Sequence, residues 1–149
     1  MHTPKRYQET DWNLIAGFVR ENSFGLLIST LDGRPVGTHL PLELREKEPG
    51  KWVLEGHVSA ANPQKHTFAS GQPFLAVFTA AHSYISSSWY AEEKIPTWNY
   101  IAVHIYGSLH IQSEDQMRHS LERLMDTHEA ASRCPVHIND ITPKNFAKT

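Results

Sequence analysis

The sequence predicts a mainly β, α+β protein: a small antiparallel barrel with helices on its outside. Three observations carry that prediction. Segments of five to eight residues alternate between apolar and polar side chains, the period of a half-buried strand, and five or six of them follow one another. Turn-forming residues separate them by short gaps, which suits hairpins. Helical periodicity is confined to the two flanks and one short insertion.

The elements follow in order. In TDWNLIAGFVREN, Thr10 or Asp11 can cap a helix over about 11–21, with Ile15, Phe18 and Val19 on one stripe. Phe24 to Thr30 is a strand, and Asp32-Gly33 is a type I′ hairpin signal. The return strand places Val36, Thr38, Leu40, Leu42 and Leu44 on one face. Pro41 lacks a donor, which calls for an edge or a bulge there. KWVLEGHVSA is a third strand. Asn62 and Pro63 open a short helix of about two turns, with Gly71 suited to its end. PFLAVFTA, an unbroken apolar run, is expected to be buried on both faces. IAVHIYGSLHIQS alternates again. Ser113 and Gln116 form a capping box before a helix whose stripe is Met117, Leu121, Leu124, Met125 and His128. The polar, proline-broken residues 132–149 are expected to form a loosely ordered tail behind a domain spanning 1–131.

Composition excludes several functions. The 149 residues suffice for one domain with a core of its own. With 14 basic against 16 acidic residues, the surface as a whole offers no electrostatic grip on nucleic acid. Cys134 is the only cysteine, so no intrachain disulfide forms, and a reducing, cytoplasmic setting is expected. The N-terminus lacks the apolar stretch of a signal peptide, and no apolar run reaches membrane-spanning length. The ten histidines show no metal-ligand spacing, so no metal site is expected. Ser86, Ser87 and Ser88 lack a nucleophile elbow, and Cys134 lacks surroundings that would activate it.

Two segments carry binding chemistry. Asn62-Pro63-Gln64-Lys65 opens a helix, where free N–H groups and Lys65 suit an anion, although an ordinary capped helix with solvated basic residues fits the spacing better. The stretch HSYISSSWYAEEKIPTWNY, from His82 to Tyr100, sets three hydroxyls among Tyr84, Trp89, Tyr90, Trp98 and Tyr100. Hydroxyls donate to phosphate oxygens, and the rings suit the faces of a flat heterocycle or a dimer interface.

GRPVGTHLPL, GHVSAANPQ, HSYISSSWY and IPTWNYIAVHIYG, in this order and spacing, closely resemble the PaiB-type FMN-binding transcriptional regulators. These belong to the split-barrel flavoprotein superfamily, alongside the pyridoxamine-phosphate oxidases. The resemblance implies a six-stranded split barrel, a homodimer, and FMN at the subunit interface. It also implies a negative regulatory role in protease synthesis and sporulation. It further implies that the flavin phosphate lies near Asn62, Gln64, Lys65 and the run Ser86, Ser87, Ser88. His39 and Leu40 would border the isoalloxazine, and Trp89, Trp98 and Tyr100 would complete the pocket beside Tyr84, partly from the other subunit. The family pattern continues past Thr149, so the resemblance implies that a closing C-terminal strand is absent from this chain.

Four functions fit these residues. An FMN-binding regulator, acting as a flavin-dependent sensor or indirectly, is the first, since no helix-turn-helix supports direct DNA binding. A flavin-dependent oxidoreductase is the second, with His39, His57 or His82 available for proton transfer. A haem-binding split barrel is the third, through a histidine ligand. A ligand-free structural dimer is the fourth. No residue pair stands out as acid and base, so the catalytic residues stay unknown.

Overall fold

The computed structural model describes residues 3–69, 71–92 and 95–141. Helix α1 (Trp12–Glu21) starts where Asp11 Oδ1 accepts the Asn13 N–H at 2.8 Å. Ala16 and Val19 are its buried residues. β1 (Phe24–Leu31) and β2 (Arg34–Pro41) form a hairpin with Leu31 opposite Arg34. Asp32 and Gly33 both adopt positive φ, 50° and 75°, as the type I′ signal requires.

The long return strand expected through Leu44 breaks at Leu42. There the chain leaves the first sheet, and the Leu42 N–H donates instead to the Ser23 carbonyl at 2.9 Å. Pro41, without an N–H, is the last residue of an edge strand. β3 (Glu43–Glu48) and β4 (Lys51–Glu55) then pair as a separate two-stranded sheet. β4 ends short of the expected strand, before Gly56. A Cβ on Gly56 would lie 2.7 Å from Leu42 Cδ2, so the chain passes too close for a side chain.

The short helix after Asn62 is a 3-10 segment, Pro63–Thr67, and not two α turns. Asn62 caps it as expected, accepting the Gln64 N–H at 2.9 Å. Two features hold it to the tighter form: the Phe68 N–H bonds back to the Lys65 carbonyl, and the Thr67 hydroxyl bonds to the Gln64 carbonyl. β5 (Pro73–Ile85) and β6 (Thr97–Ser108) are much longer than the other strands and complete a four-stranded sheet of order β2-β1-β5-β6. α2 (Glu114–Glu129) begins with the predicted capping box.

Six strands therefore make an α+β fold of two antiparallel sheets, and the described residues do not close into a barrel. The core lies between one face of the large sheet, the β3–β4 hairpin and α1. Its buried members are Ala16, Val19, Leu27, Leu40, Leu42, Leu44, Ala76 and Phe78. Trp12 stacks on Trp52 at 5.7 Å, which ties the start of α1 to β4. Gly25 sits under Phe78, where a Cβ would come within 2.7 Å of the ring. α2 is held by charge. Arg123 bonds Glu55 and also Glu43 at 3.1 Å, and Arg45 grips Glu55 through two bonds of 2.6 and 3.0 Å. Farther along, the 3-10 turn Ile138–Asp140 docks on α2 and buries Ile138. Residues 142–149 of the predicted tail lie outside the described residues.

β5 is buried on one face, not on both as the apolar run suggested. Ala76 and Phe78 are enclosed, while Leu75 and Val77 stay half-buried on the opposite face. Register extends that open face across the sheet. His39 lies opposite Leu26, Leu26 opposite Val77, and Val77 opposite His104. Phe24 and Tyr106 belong to the same face by alternation and are exposed.

Candidate functional site

The stretch from His82 to Tyr100 forms an arm. β1 pairs with β5 only over Leu26–Ile28, whereas β5 and β6 stay paired as far as Ile85 and Thr97. The outer part of this hairpin is thus a two-stranded ribbon beyond the main sheet. A bulge starts it: Thr79 pairs with Ala102 and His82 with Tyr100, so Ala80 and Ala81 together oppose Ile101. The extra residue inverts the alternation along β5. Strict period two would align Ser83 and Ile85 with Thr79; the bulge aligns His82 and Tyr84 instead. These two meet Tyr100 and Trp98 across the ribbon. Alternation along β6 then joins Trp98, Tyr100, Ala102, His104 and Tyr106 into one stripe, continuous with the open sheet face.

The rings of this stripe touch. Trp98 lies 5.5 Å from His82 and 6.2 Å from Tyr84, centre to centre. The Trp98 indole Nε1–H donates to His82 Nδ1 at 3.2 Å. Tyr84, Trp98 and Tyr100 nevertheless remain about half exposed. At the tip, the 3-10 turn Ser87–Trp89 is capped by Ser86, whose Oγ accepts the Ser88 N–H at 3.2 Å and lies 2.8 Å from Ser88 Oγ. One hydroxyl of that pair donates to the other, which leaves a second O–H directed elsewhere. Trp89 and Ile95 are exposed, the latter at 89%. A hollow of about 290 Å³ beside the bulge is lined by Ala81, His82, Ser83, Asn99, Tyr100 and Ile101.

The remaining predicted site residues sit elsewhere. His39 is on the open face, stacked on Phe24 at 5.8 Å. Leu40 points the other way, into the core, at 5% exposure. Asn62 donates to Thr38 Oγ1 at 2.9 Å while capping the 3-10 turn, so it serves the buried face of β2. Gln64 is 2% exposed, and its Nε2 faces the Leu27 carbonyl, Ser29 Oγ and the Val36 carbonyl at 2.9–3.3 Å. Its Oε1 has no partner among the described residues. Lys65 is exposed, with its ammonium on the Ala60 carbonyl. Within one chain, the predicted pocket is therefore divided. Leu40, Asn62 and Gln64 serve the buried face of the large sheet, and His39, Tyr84, Trp98 and Tyr100 lie on its open face.

The sequence offered His82 only as a proton carrier, not as a binding residue, and did not point to His104. The hairpin register together with the bulge would have found His82. His104 Nδ1 is enclosed, with no hydrogen-bond partner among the described residues. A larger cleft of about 340 Å³ lies between α1, β3 and α2 and contains none of the predicted residues. Much of its charge is already spent: Glu43 on Arg123, Arg45 on Glu55, and Glu46 on the Gly50 N–H at 2.6 Å. His57, two residues beyond β4, is held below the ordinary histidine range by burial. Glu55 sits below the usual carboxylate range. Burial works to raise it, but Arg45 and Arg123 outweigh that. Among the described residues no three His, Cys, Asp or Glu side chains converge as a metal site, and no helix is long and apolar enough to cross a membrane.

An FMN molecule needs apolar cover for a flat ring and donors for a phosphate. The half-exposed aromatic stripe, the open sheet face and the serine turn supply groups of both kinds, so the residues present fit it.

Comparison with known proteins agrees. The family described as "Putative FMN-binding domain" matches residues 1–149. The chain is 39% identical over 144 residues to "Protease synthase and sporulation protein PAI 2" of Bacillus subtilis (strain 168), covering 97% of this chain and 69% of that one. It is 30% identical over 106 residues to the protein YKL070W of Saccharomyces cerevisiae, covering 65% of this chain and 63% of that one. Among solved structures, the FAD and haem binding protein from Mycobacterium smegmatis superposes with a TM-score of 0.71 at 18% identity, over 94% of this chain and 63% of that one. That likeness establishes the split-barrel fold alone. The chain belongs to the FMN-binding domain family, with FMN as its cofactor.

Proposed function

We propose that this chain is a PaiB-type regulator that holds FMN on the open sheet face and works as a homodimer. The observation that carries the reading is the aromatic stripe, which continues from the arm onto a sheet face that buries only part of its apolar surface. Large apolar surface left open on a monomer marks a ligand or subunit interface. The divided pocket supports the dimer, because a second copy can bring the Asn62–Lys65 turn towards the first copy's arm. In this reading Trp98, Tyr100, Tyr84 and His39 border the ring, and Trp89 adds cover from the tip. Ser86, Ser87, Ser88 and Lys65 face the phosphate. Asn62 and Gln64 hold the turn that carries Lys65, and Leu40 supports β2 from the core side.

Bound FMN supplies redox chemistry, and the chain's part is to orient it and limit its contact with water. The relative's name, protease synthase and sporulation protein, supports a regulatory role. That role is exerted through flavin state or indirectly, since a net charge of −2 gives no general attraction to DNA. A flavin-dependent oxidoreductase is the second reading, favoured by His39 and His82 on the open face, both able to carry protons.

The test is FMN titration followed by quenching of flavin fluorescence, with the Ser86→Ala/Ser87→Ala/Ser88→Ala variant alongside. Saturable binding that weakens at least tenfold in the variant supports the phosphate assignment. Equal affinity removes it. Oxidation of a reduced nicotinamide by the FMN-loaded protein would move the reading to the oxidoreductase.

A further inference from the structure

We propose that His82 is a positioning residue that fixes the Trp98 ring through a hydrogen bond only its neutral form can accept, so that protonation of His82 weakens flavin binding. The flavin part rests on the reading above; the latch itself does not. The geometry dictates the tautomer. The Trp98 indole nitrogen can only donate, so His82 Nδ1, 3.2 Å away, must carry the lone pair and Nε2 the hydrogen. Protonation puts a hydrogen on Nδ1, the ring's second N–H, and two donors then face each other.

The contact also has a reason in the fold. Without the bulge at Ala80-Ala81, alternation would send His82 to the opposite side of the ribbon from Trp98. Tyr84 also packs against the indole, so Trp98 touches two side chains of β5. Without the hydrogen bond, a half-exposed tryptophan on a two-stranded ribbon regains freedom to turn. A ligand that stacks on it must then order it again.

The groups facing His82 come from both strands of the ribbon. From β6 it faces Trp98 and Tyr100, and from its own strand Tyr84. Across the bulge lie Ala80, Ala81 and Ile101, and among the described residues His82 makes no ion pair. Glu92 is a described acidic residue of the loop joining the two strands. An imidazole is the side chain that changes charge between about pH 5 and 8. Stacking of the imidazolium on the indole opposes the loss in part, so the expected effect is modest.

His82→Asn separates the latch from a merely structural role. The asparagine oxygen can reach the position of Nδ1 and accept the same bond, but it does not titrate. The first readout is the indole ¹⁵N–¹H resonance of Trp98 in flavin-free protein, assigned by its absence in Trp98→Phe. It is expected to move as pH falls from about 8 to about 5 in the parent chain and to stay still in His82→Asn. A resonance that does not move, or that moves equally in His82→Asn, overturns the latch whatever happens with flavin. The second readout is FMN affinity. It should weaken roughly two- to tenfold over the same range, the span of one net hydrogen bond. His82→Asn should abolish that dependence, and His82→Ala should bind weakly at both pH values. A moving resonance with pH-independent FMN affinity overturns the coupling to flavin. A moving resonance with no FMN binding at any pH refutes both the coupling and the flavin site, and leaves the latch standing.

Discussion

Gln64 binds three segments together with one amide. Its hydrogens reach β1 and β2, and its backbone carbonyl takes the Thr67 hydroxyl. Removing a buried donor also strands the acceptors it served. Gln64→Ala should therefore cost about 2–3 kcal/mol of unfolding free energy, measured by urea denaturation. Gly25 is constrained from the opposite direction, by lack of space. Phe78 is fully buried and cannot retreat cheaply, so Gly25→Ala should destabilise by about 1–3 kcal/mol in the same assay. His57 sets a pH dependence. Burial depresses its folded-state pKa below the ordinary 6.5, so the unfolded chain binds more protons in the window beneath that value. The contribution is complete above the window and is lost as pH falls through it. The stability difference between about pH 7.5 and about pH 5.5 should shrink in His57→Asn. The Glu55 contribution runs in the same sense but sits lower, below the ordinary carboxylate value of 4.5, where the ion pairs are lost as the carboxylate protonates.

At the scale of elements, local signals were legible and long-range ones were not. The cap at Asp11, the Asp32-Gly33 turn and the capping box at Ser113 are each decided within four residues, and each appears where the sequence puts it. Pro41 marked an edge or bulge, but the break at Leu42 depends on the Ser23 carbonyl, distant in sequence, and the alternation of Leu40, Leu42 and Leu44 runs straight through it. The arm is the sharpest case. Its aromatic composition was visible, but which rings meet is set by one extra residue at Ala80-Ala81 that no pattern announced. The docking of α2 was equally hidden, since Arg123 lies far in sequence from Glu43 and Glu55. These charges are partly solvated, so Arg123→Ala should cost about 1–2 kcal/mol, between exposed and buried pairs. Far-ultraviolet circular dichroism through a thermal melt should show the lower midpoint.

For the whole molecule, the large sheet has one face committed to the core and one that is not. The committed face explains the fold, with Leu27, Leu40, Ala76 and Phe78 packed beneath α1 and the 3-10 turn. The open face explains why the predicted pocket is split, because strand alternation sends His39 and Leu40 to opposite sides. The family motifs made the cofactor legible; the sidedness of the residues required the register. The central claim is that the open face and its aromatic arm hold FMN. The most direct measurement is FMN titration of the purified chain beside Trp98→Ala, with circular dichroism confirming that the variant is folded. The account predicts saturable binding by the parent, with quenched flavin fluorescence, and affinity at least tenfold weaker in Trp98→Ala, the order expected when one stacked ring is lost. Unchanged affinity in the folded variant, or no binding by the parent, would contradict it.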